Sequence, residues 1–186
     1  MKKLLNFLDG YNKEFQSLLS MNTLEQKKII KLFHQVTKLE KKNKKIIIAG
    51  NGGSAAIASH FSVDMTKNGG IRCINFNESD LLTCFSNDYG YEKWVEKSLL
   101  FYADKGDVII LISSSGTSKN MVNAAKFARK NKNYVATLTG FYGKNPLSKI
   151  GDLNFTVNSK NYNLIENVHQ YILLSLVDLS TKFYLK

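Results

Sequence analysis

A chain of 186 residues with 44% hydrophobic content can bury the core of one α/β domain and is too short for two ordinary ones, so residues 1–186 are expected to form a single unit. No apolar run approaches the roughly 20 residues that span a bilayer. The opening Met1-Lys2-Lys3-Leu4-Leu5-Asn6-Phe7 is soon interrupted by Asp9, Asn12, Lys13 and Glu14, so the expectation is a cytoplasmic protein with no signal peptide and no membrane partner. The formal net charge of +11 raises nucleic acid as a partner, but no nucleic-acid module accompanies it. The basic groups Lys38, Lys41, Lys42, Lys44, Lys45 and Lys126, Arg129, Lys130, Lys132 end helical stretches, where cations suit the negative pole of the dipole. Solvated surface is therefore preferred over a functional basic patch. Cys73 and Cys84 fall in a strand and in what reads as a buried helix, as small core residues and not as a disulfide or metal pair.

In chain order, apolar residues recur at helical spacing from Leu4 to Leu39, which predicts two helices parted near Met21-Asn22-Thr23. Thr23 followed by Gln26 resembles a capping box. Residues 1–43 are thus a helical N-terminal extension. Lys45-Ile46-Ile47-Ile48-Ala49 is a continuous apolar run ending in glycine, as buried parallel strands do. A helix from about Ser54 to Lys67 follows, then a strand Arg72 to Phe76, helical stretches Asp80 to Ser86 and Tyr91 to Tyr102, and a strand Asp107 to Ile112. The pattern continues with a helix Ser118 to Lys130, strands Tyr134 to Thr139 and Leu153 to Val157, and a last helix Tyr162 to Tyr184. Strands alternating with helices predict a doubly wound, mostly parallel five-stranded sheet flanked by helices. The last helix is apolar nearly all round, which predicts burial against the N-terminal helices or a second subunit.

Two turns carry the chemistry. Gly50-Asn51-Gly52-Gly53-Ser54 and Ser113-Ser114-Ser115-Gly116-Thr117-Ser118 each follow a strand and open a helix. In an open parallel sheet, ligands bind beyond the carboxyl ends of the strands, where helix N-termini offer unpaired N–H groups. Hydroxyls and backbone amides there can surround a phosphate without a charged side chain. The serine turn lacks the Walker A lysine and the GxGxxG spacing, which weakens nucleotide-hydrolysing and dinucleotide readings. Serines and glycines also make plain turns, but the pairing of two such turns favours a phosphate site.

The series Ala49-Gly50-Asn51-Gly52-Gly53-Ser54, His60-Phe61, Asn87-Asp88-Tyr89-Gly90, Gly106-Asp107-Val108, Ile112 to Ser118 and Leu138-Thr139-Gly140 resembles the sugar isomerase (SIS) domain family, and within it the phosphoheptose isomerases. The resemblance covers nearly the whole chain, in order. It implies that Ser113, Ser114, Ser115 and Ser118 hold a phosphate, that Asn51, Gly52, Gly53 and Ser54 line the sugar, and that Asp88 lies in a substrate-side loop. It also implies a homotetramer with sites between subunits. The implied reaction converts a ketose phosphate to an aldose phosphate through an enediol, sedoheptulose 7-phosphate to D-glycero-D-manno-heptose 7-phosphate for surface-glycan heptose synthesis. Such a reaction needs a base for the carbon proton and a group that handles protons on the oxygens.

The sequence departs from the family at the catalytic positions. Where the family has a glutamate four residues after a histidine, and some members bind zinc on that helix, this chain has His60 and Asp64. At i and i+4 these share one helix face. On the last helix the family glutamine is Glu166 and the family's second histidine is Leu174, which transfers no proton. Asp64, Glu166 and His60 are therefore the candidate catalytic set and also the candidate ligands of one divalent metal such as zinc, since a carboxylate binds such an ion better than an amide does. Plainer readings stand beside these: Glu166 as a solvated carboxylate at a helix start, Asn87-Asp88 as a simple turn, and His169 as a packing residue. The alternative function is a non-catalytic SIS protein that binds a sugar phosphate or a protein partner such as a replication initiator.

Overall fold

The computed structural model describes residues 1–39, 43–141 and 144–185; Lys41 and Lys42 of the first basic group lie outside them. Two helices, α1 (Lys2–Leu19) and α2 (Thr23–Val36), precede β1 (Ile46–Gly50), α3 (Gly53–Lys67) and β2 (Cys73–Asn75). Then come α4 (Ser79–Tyr89), α5 (Trp94–Tyr102), β3 (Val108–Ser113), α6 (Lys119–Lys130), β4 (Tyr134–Thr139), β5 (Leu153–Thr156) and α7 (Tyr162–Phe183). All four strand pairings are parallel, in the order β2-β1-β3-β4-β5, so the sheet is wholly parallel where the sequence predicted mostly parallel.

Alternation along the strands divides the core between two faces. Ile46, Ile48, Val108, Ile110 and Ile112 pack with α2, α3 and α7 on one side, while Ile47, Ala49, Ile109 and Leu111 pack with α5 and α6 on the other. The central strands β1 and β3 are covered on both sides and buried at every position, which is why their runs are apolar up to the turn residue, whereas the edge strands β2 and β5 keep half-buried positions. The strand order reverses between β1 and β3, the switch point where doubly wound sheets bind ligands, and these are the strands that feed the two serine- and glycine-rich turns.

Away from that end, the buried Asp107 ties the start of β3 to β1. Its carboxylate accepts from the backbone N–H of Lys45 (3.0 Å) and Asp104 (2.9 Å) and meets the Lys45 ammonium at 2.8 Å. Burial pulls the Lys45 pKa down, but its bonds to Asp107 and Asp104 outweigh burial and hold it above its ordinary value. Lys45 is thus a structural ion-pair partner. In the second basic group, Arg129 pairs with Asp152.

Three local expectations are corrected. The α2 cap is Asn22, whose side chain accepts from the Glu25 N–H at 3.0 Å, because asparagine one residue earlier makes the same contact as the expected Thr23 box. Cys84 is exposed, since α4 buries none of its residues. The α5 helix begins at Trp94 and not Tyr91, because Tyr91 and Glu92 are held in a turn over the ligand end of the sheet. The α7 helix does bury a broad apolar face, including Ile165, Val168, Ile172, Leu173 and Leu176, though Phe183 is exposed.

Candidate functional site

The serine turn is organised around Ser113, the buried last residue of β3. Its Oγ accepts the Gly116 N–H (3.1 Å), donates to Ser118 Oγ (3.1 Å) and lies 3.4 Å from Ser115 Oγ. Gly116 takes φ +64° with Asn145 packed against it, so that a Cβ would run into the Asn145 carboxamide. Only glycine meets both requirements at no steric cost. The Ser114 hydroxyl is buried with no partner among the described residues, a donor left over for a ligand.

The second turn brings in α3. Neither α3 nor α6 has a side-chain cap at its N-cap residue, and Ser54 and Ser118 at their starts line one opening, so the positive dipole ends of both helices adjoin it. Asn51 and Asn120 exchange hydrogen bonds (3.1 and 2.9 Å), and the Tyr91 hydroxyl donates to Asn51 Oδ1 at 3.2 Å. Lys119 with Glu92 (2.7 Å) and Asn123 with the Glu92 carbonyl (3.0 Å) fasten the turn before α5 to α6.

A cavity of about 150 Å³ lies between these turns, lined by Asn51, Ser54, Ile112, Ser113, Ser114, Ser115, Ser118, Tyr162 and Glu166. The structure therefore gathers four predicted phosphate ligands, two predicted sugar ligands and one predicted catalytic carboxylate. Gly53 joins them indirectly: a Cβ there would collide with the Glu166 carboxylate, so glycine lets Glu166 lie against the N-terminus of α3. Gly52 is the N-cap of α3 and exposed.

His60 and Asp64 lie further along the seam between α3 and α7. His60 is seven residues beyond Gly53, about 10 Å along the helix axis. Its Nε2 is 3.2 Å from Asp64 Oδ2 and its Nδ1 is 3.2 Å from Gln170 Nε2 on α7. Gln170 is one turn beyond Glu166, so both share the α7 face that meets α3. Asp88 is not brought to the cavity within this chain. It sits at the exposed end of α4, where it accepts from Asn87 Nδ2 at 3.0 Å and meets the Cys84 thiol at 3.7 Å.

The proposed metal set fares differently. His60, Asp64 and Glu166 are not gathered, and no three His, Cys, Asp or Glu side chains among the described residues come together as a potential ion site. Both His60 nitrogens are committed to protein groups, the Glu166 carboxylate lies against Gly53, and Leu174 is half-buried against the core. This donor set does not fit a divalent ion.

His169 is fully buried on α7, with Nε2 3.0 Å from the Thr139 carbonyl. Burial, only partly offset by that bond, brings its pKa down to about 4. It is a neutral packing residue, in agreement with the plainer reading. Asn120, Tyr91, Tyr162 and Gln170 were not foreseen. Spacing of four from Glu166 offered a signal for Tyr162 and Gln170; Asn120 meets Asn51 across 69 positions, and no local pattern marks it.

A parallel sheet with serine-rich turns at its switch point, opening onto a small polar cavity, defines a phosphosugar-type α/β domain. A model of the SIS domain matches residues 10–140, and the chain belongs to that family. It is 29% identical over 181 residues to a phosphoheptose isomerase of Fusobacterium nucleatum, covering 94% of this chain and 93% of that protein. To a phosphoheptose isomerase of Cytophaga hutchinsonii it is 34% identical over 174 residues, covering 88% and 91%. The solved structure of phosphoheptose isomerase from Neisseria gonorrhoeae shares the fold with a TM-score of 0.84 at 24% identity, over 96% of this chain and 97% of that one.

Proposed function

We propose that this chain is an aldose–ketose isomerase that converts sedoheptulose 7-phosphate to D-glycero-D-manno-heptose 7-phosphate, a cytoplasmic step of surface-glycan heptose synthesis. The observation that carries the reading is the Glu166 carboxylate in the same cavity as Ser113, Ser114, Ser115 and Ser118. A lone phosphate-binding pocket has no use for an anionic side chain at its wall, whereas a proton-transfer enzyme does. The phosphoheptose isomerase relatives, aligned over most of the chain, support the substrate.

In this reading the phosphate sits among the serine hydroxyls and the N-termini of α3 and α6, and the sugar chain runs towards the α3–α7 seam. Glu166 takes the proton from C1 of the ketose and returns it to C2. Asp64, bonded to His60, carries the hydroxyl proton between the two oxygens once the Glu166 side chain, which lies against Gly53 in the free chain, turns along the seam with the substrate, so the hydrogens lost at one carbon and its oxygen are regained at the next pair. No redox partner is needed. The chain acts as a homotetramer in which Asp88 serves a site completed by a neighbouring copy.

The test is incubation of the purified protein with sedoheptulose 7-phosphate. An aldose phosphate should accumulate, and Glu166→Gln should lower kcat by about 10²- to 10⁴-fold. Absence of product from any ketose phosphate sinks the proposal. Leu174, packed against the core where the family has its second histidine, favours the second reading, a SIS protein that holds a sugar phosphate for regulation. Binding of sedoheptulose 7-phosphate with no turnover would establish that one.

A further inference from the structure

We propose that Gln170 is a positioning residue that fixes the His60–Asp64 pair in a metal-independent arrangement, a role that rests on the isomerase reading above. Its basis is donor and acceptor accounting on the α3–α7 seam. An ionised carboxylate only accepts, so with Asp64 Oδ2 3.2 Å from His60 Nε2 the proton of a neutral His60 ring belongs on Nε2. Nδ1 is then a lone-pair acceptor. The Gln170 Nε2 amide, 3.2 Å away, supplies the matching donor. The two contacts support each other, because each is satisfied only by the tautomer that the other requires.

This arrangement leaves His60 no free lone pair for an ion. Asp64 is further held by Asn68 Nδ2 at 3.4 Å, and Glu166 lies against Gly53 instead of turning towards His60. Glu166, Gln170 and Leu174 follow one another at intervals of four along one stripe of α7. The family's second histidine position is the leucine, and the polar partner of His60 stands one turn nearer the cavity. Gln170 thus does by hydrogen bonding what an ion would do by ligation: it orients the imidazole, and through it the Asp64 carboxylate. Because Gln170 and Glu166 ride on the same helix face, the proton-transfer groups keep a fixed spacing along the seam.

The deciding measurement is the tautomer of His60, read without substrate from long-range ¹⁵N–¹H correlation spectra of the folded protein at about pH 8.5, above the ordinary imidazole range. The native chain should show the proton on Nε2 and a lone pair on Nδ1. Gln170→Met, similar in length but with no donor, should show a mixture of tautomers. The same variant should lower kcat roughly 10-fold with KM little changed, and the purified native protein should hold no stoichiometric zinc by elemental analysis. A proton on Nδ1 in the native chain, a tautomer unaltered by Gln170→Met, or one zinc per subunit would each overturn the proposal. Failure of the native chain to turn over any ketose phosphate, with the tautomer as expected, would instead count against the isomerase reading.

Discussion

His169 shows how a single buried group constrains the whole stability profile. It is inaccessible to solvent, its Nε2–H donates to the Thr139 carbonyl at 3.0 Å, and its Nδ1 has no partner among the described residues. The unfolded chain takes up a proton near pH 6.5, but the folded chain does so only near pH 4. The unfolded state therefore binds more protons between those values, and stability falls as pH drops from about 6.5 towards 4 and is unaffected by this group above that window. The shift is worth about 3 kcal/mol in full, of which about 2 kcal/mol is lost by pH 5. Urea unfolding at pH 7 and pH 5 checks this: the native chain should lose about 2 kcal/mol more than His169→Gln, which keeps a donor for Thr139 but cannot charge. Equal losses would show that His169 does not carry the effect. The sequence placed His169 among packing residues, yet its depth and its carbonyl partner on β4 are tertiary facts that neighbouring residues do not encode.

Among the elements, the turn between β3 and α6 depends most on one backbone conformation. Gly116 holds φ +64° and its N–H reaches both the Ser113 carbonyl (2.9 Å) and Ser113 Oγ (3.1 Å). Gly116→Ala meets two separate obstacles, the left-handed φ and the Asn145 carboxamide. The φ strain alone should cost about 1–3 kcal/mol. Asn145→Ala removes only the steric obstacle, so a double-mutant cycle by urea denaturation should show positive coupling while part of the Gly116→Ala penalty remains. Strict additivity would mean that Asn145 does not press on this turn. This turn was legible from sequence because its signal is local: an apolar run, then serines and a glycine, then a helix. So were the strands: burial on both faces writes continuous apolar runs such as Ile46-Ile47-Ile48 in the central ones, and half-burial writes alternation in the edge strand Leu153–Thr156. The amide pair of Asn51 with Asn120, the Gln170 contact with His60 and the separation of Glu166 from Asp64 were not legible, because each depends on where α3, α6 and α7 sit against one another. The misjudged Cys84 has the same origin: α4 carries apolar residues at helical spacing and packs Leu81, Leu82 and Phe85 inward, but no described residue buries its outer side.

At the scale of the whole molecule, a second outward apolar surface, on α1, bears on assembly. The α1 helix has no buried residue, and Leu4, Phe7 and Leu8 are 68%, 66% and 53% exposed at spacings that place them on one face. A monomer seldom leaves such a face in water. It is joined to the rest of the chain by packing of Phe15, Leu18 and Leu19 against the core and by the Ser159 hydroxyl on Glu14, all in its second half. The first half of α1 is therefore free to pack on another copy without disturbing the sheet. The proposed tetramer assigns it that use, and the helix should be separable from folding. Replacing Leu4, Phe7 and Leu8 together by glutamine should leave the midpoint of thermal unfolding of a dilute sample within a few degrees while sedimentation velocity shows smaller species than it does for the unsubstituted chain. Turnover per chain should fall with the assembly, since Asp88, remote from its own chain's cavity, then loses the intersubunit role proposed for it. A native chain that sediments as a monomer, or a triple variant that remains tetrameric, would remove α1 from the assembly. A variant that dissociates with undiminished turnover would show that each chain's cavity is complete without its neighbours.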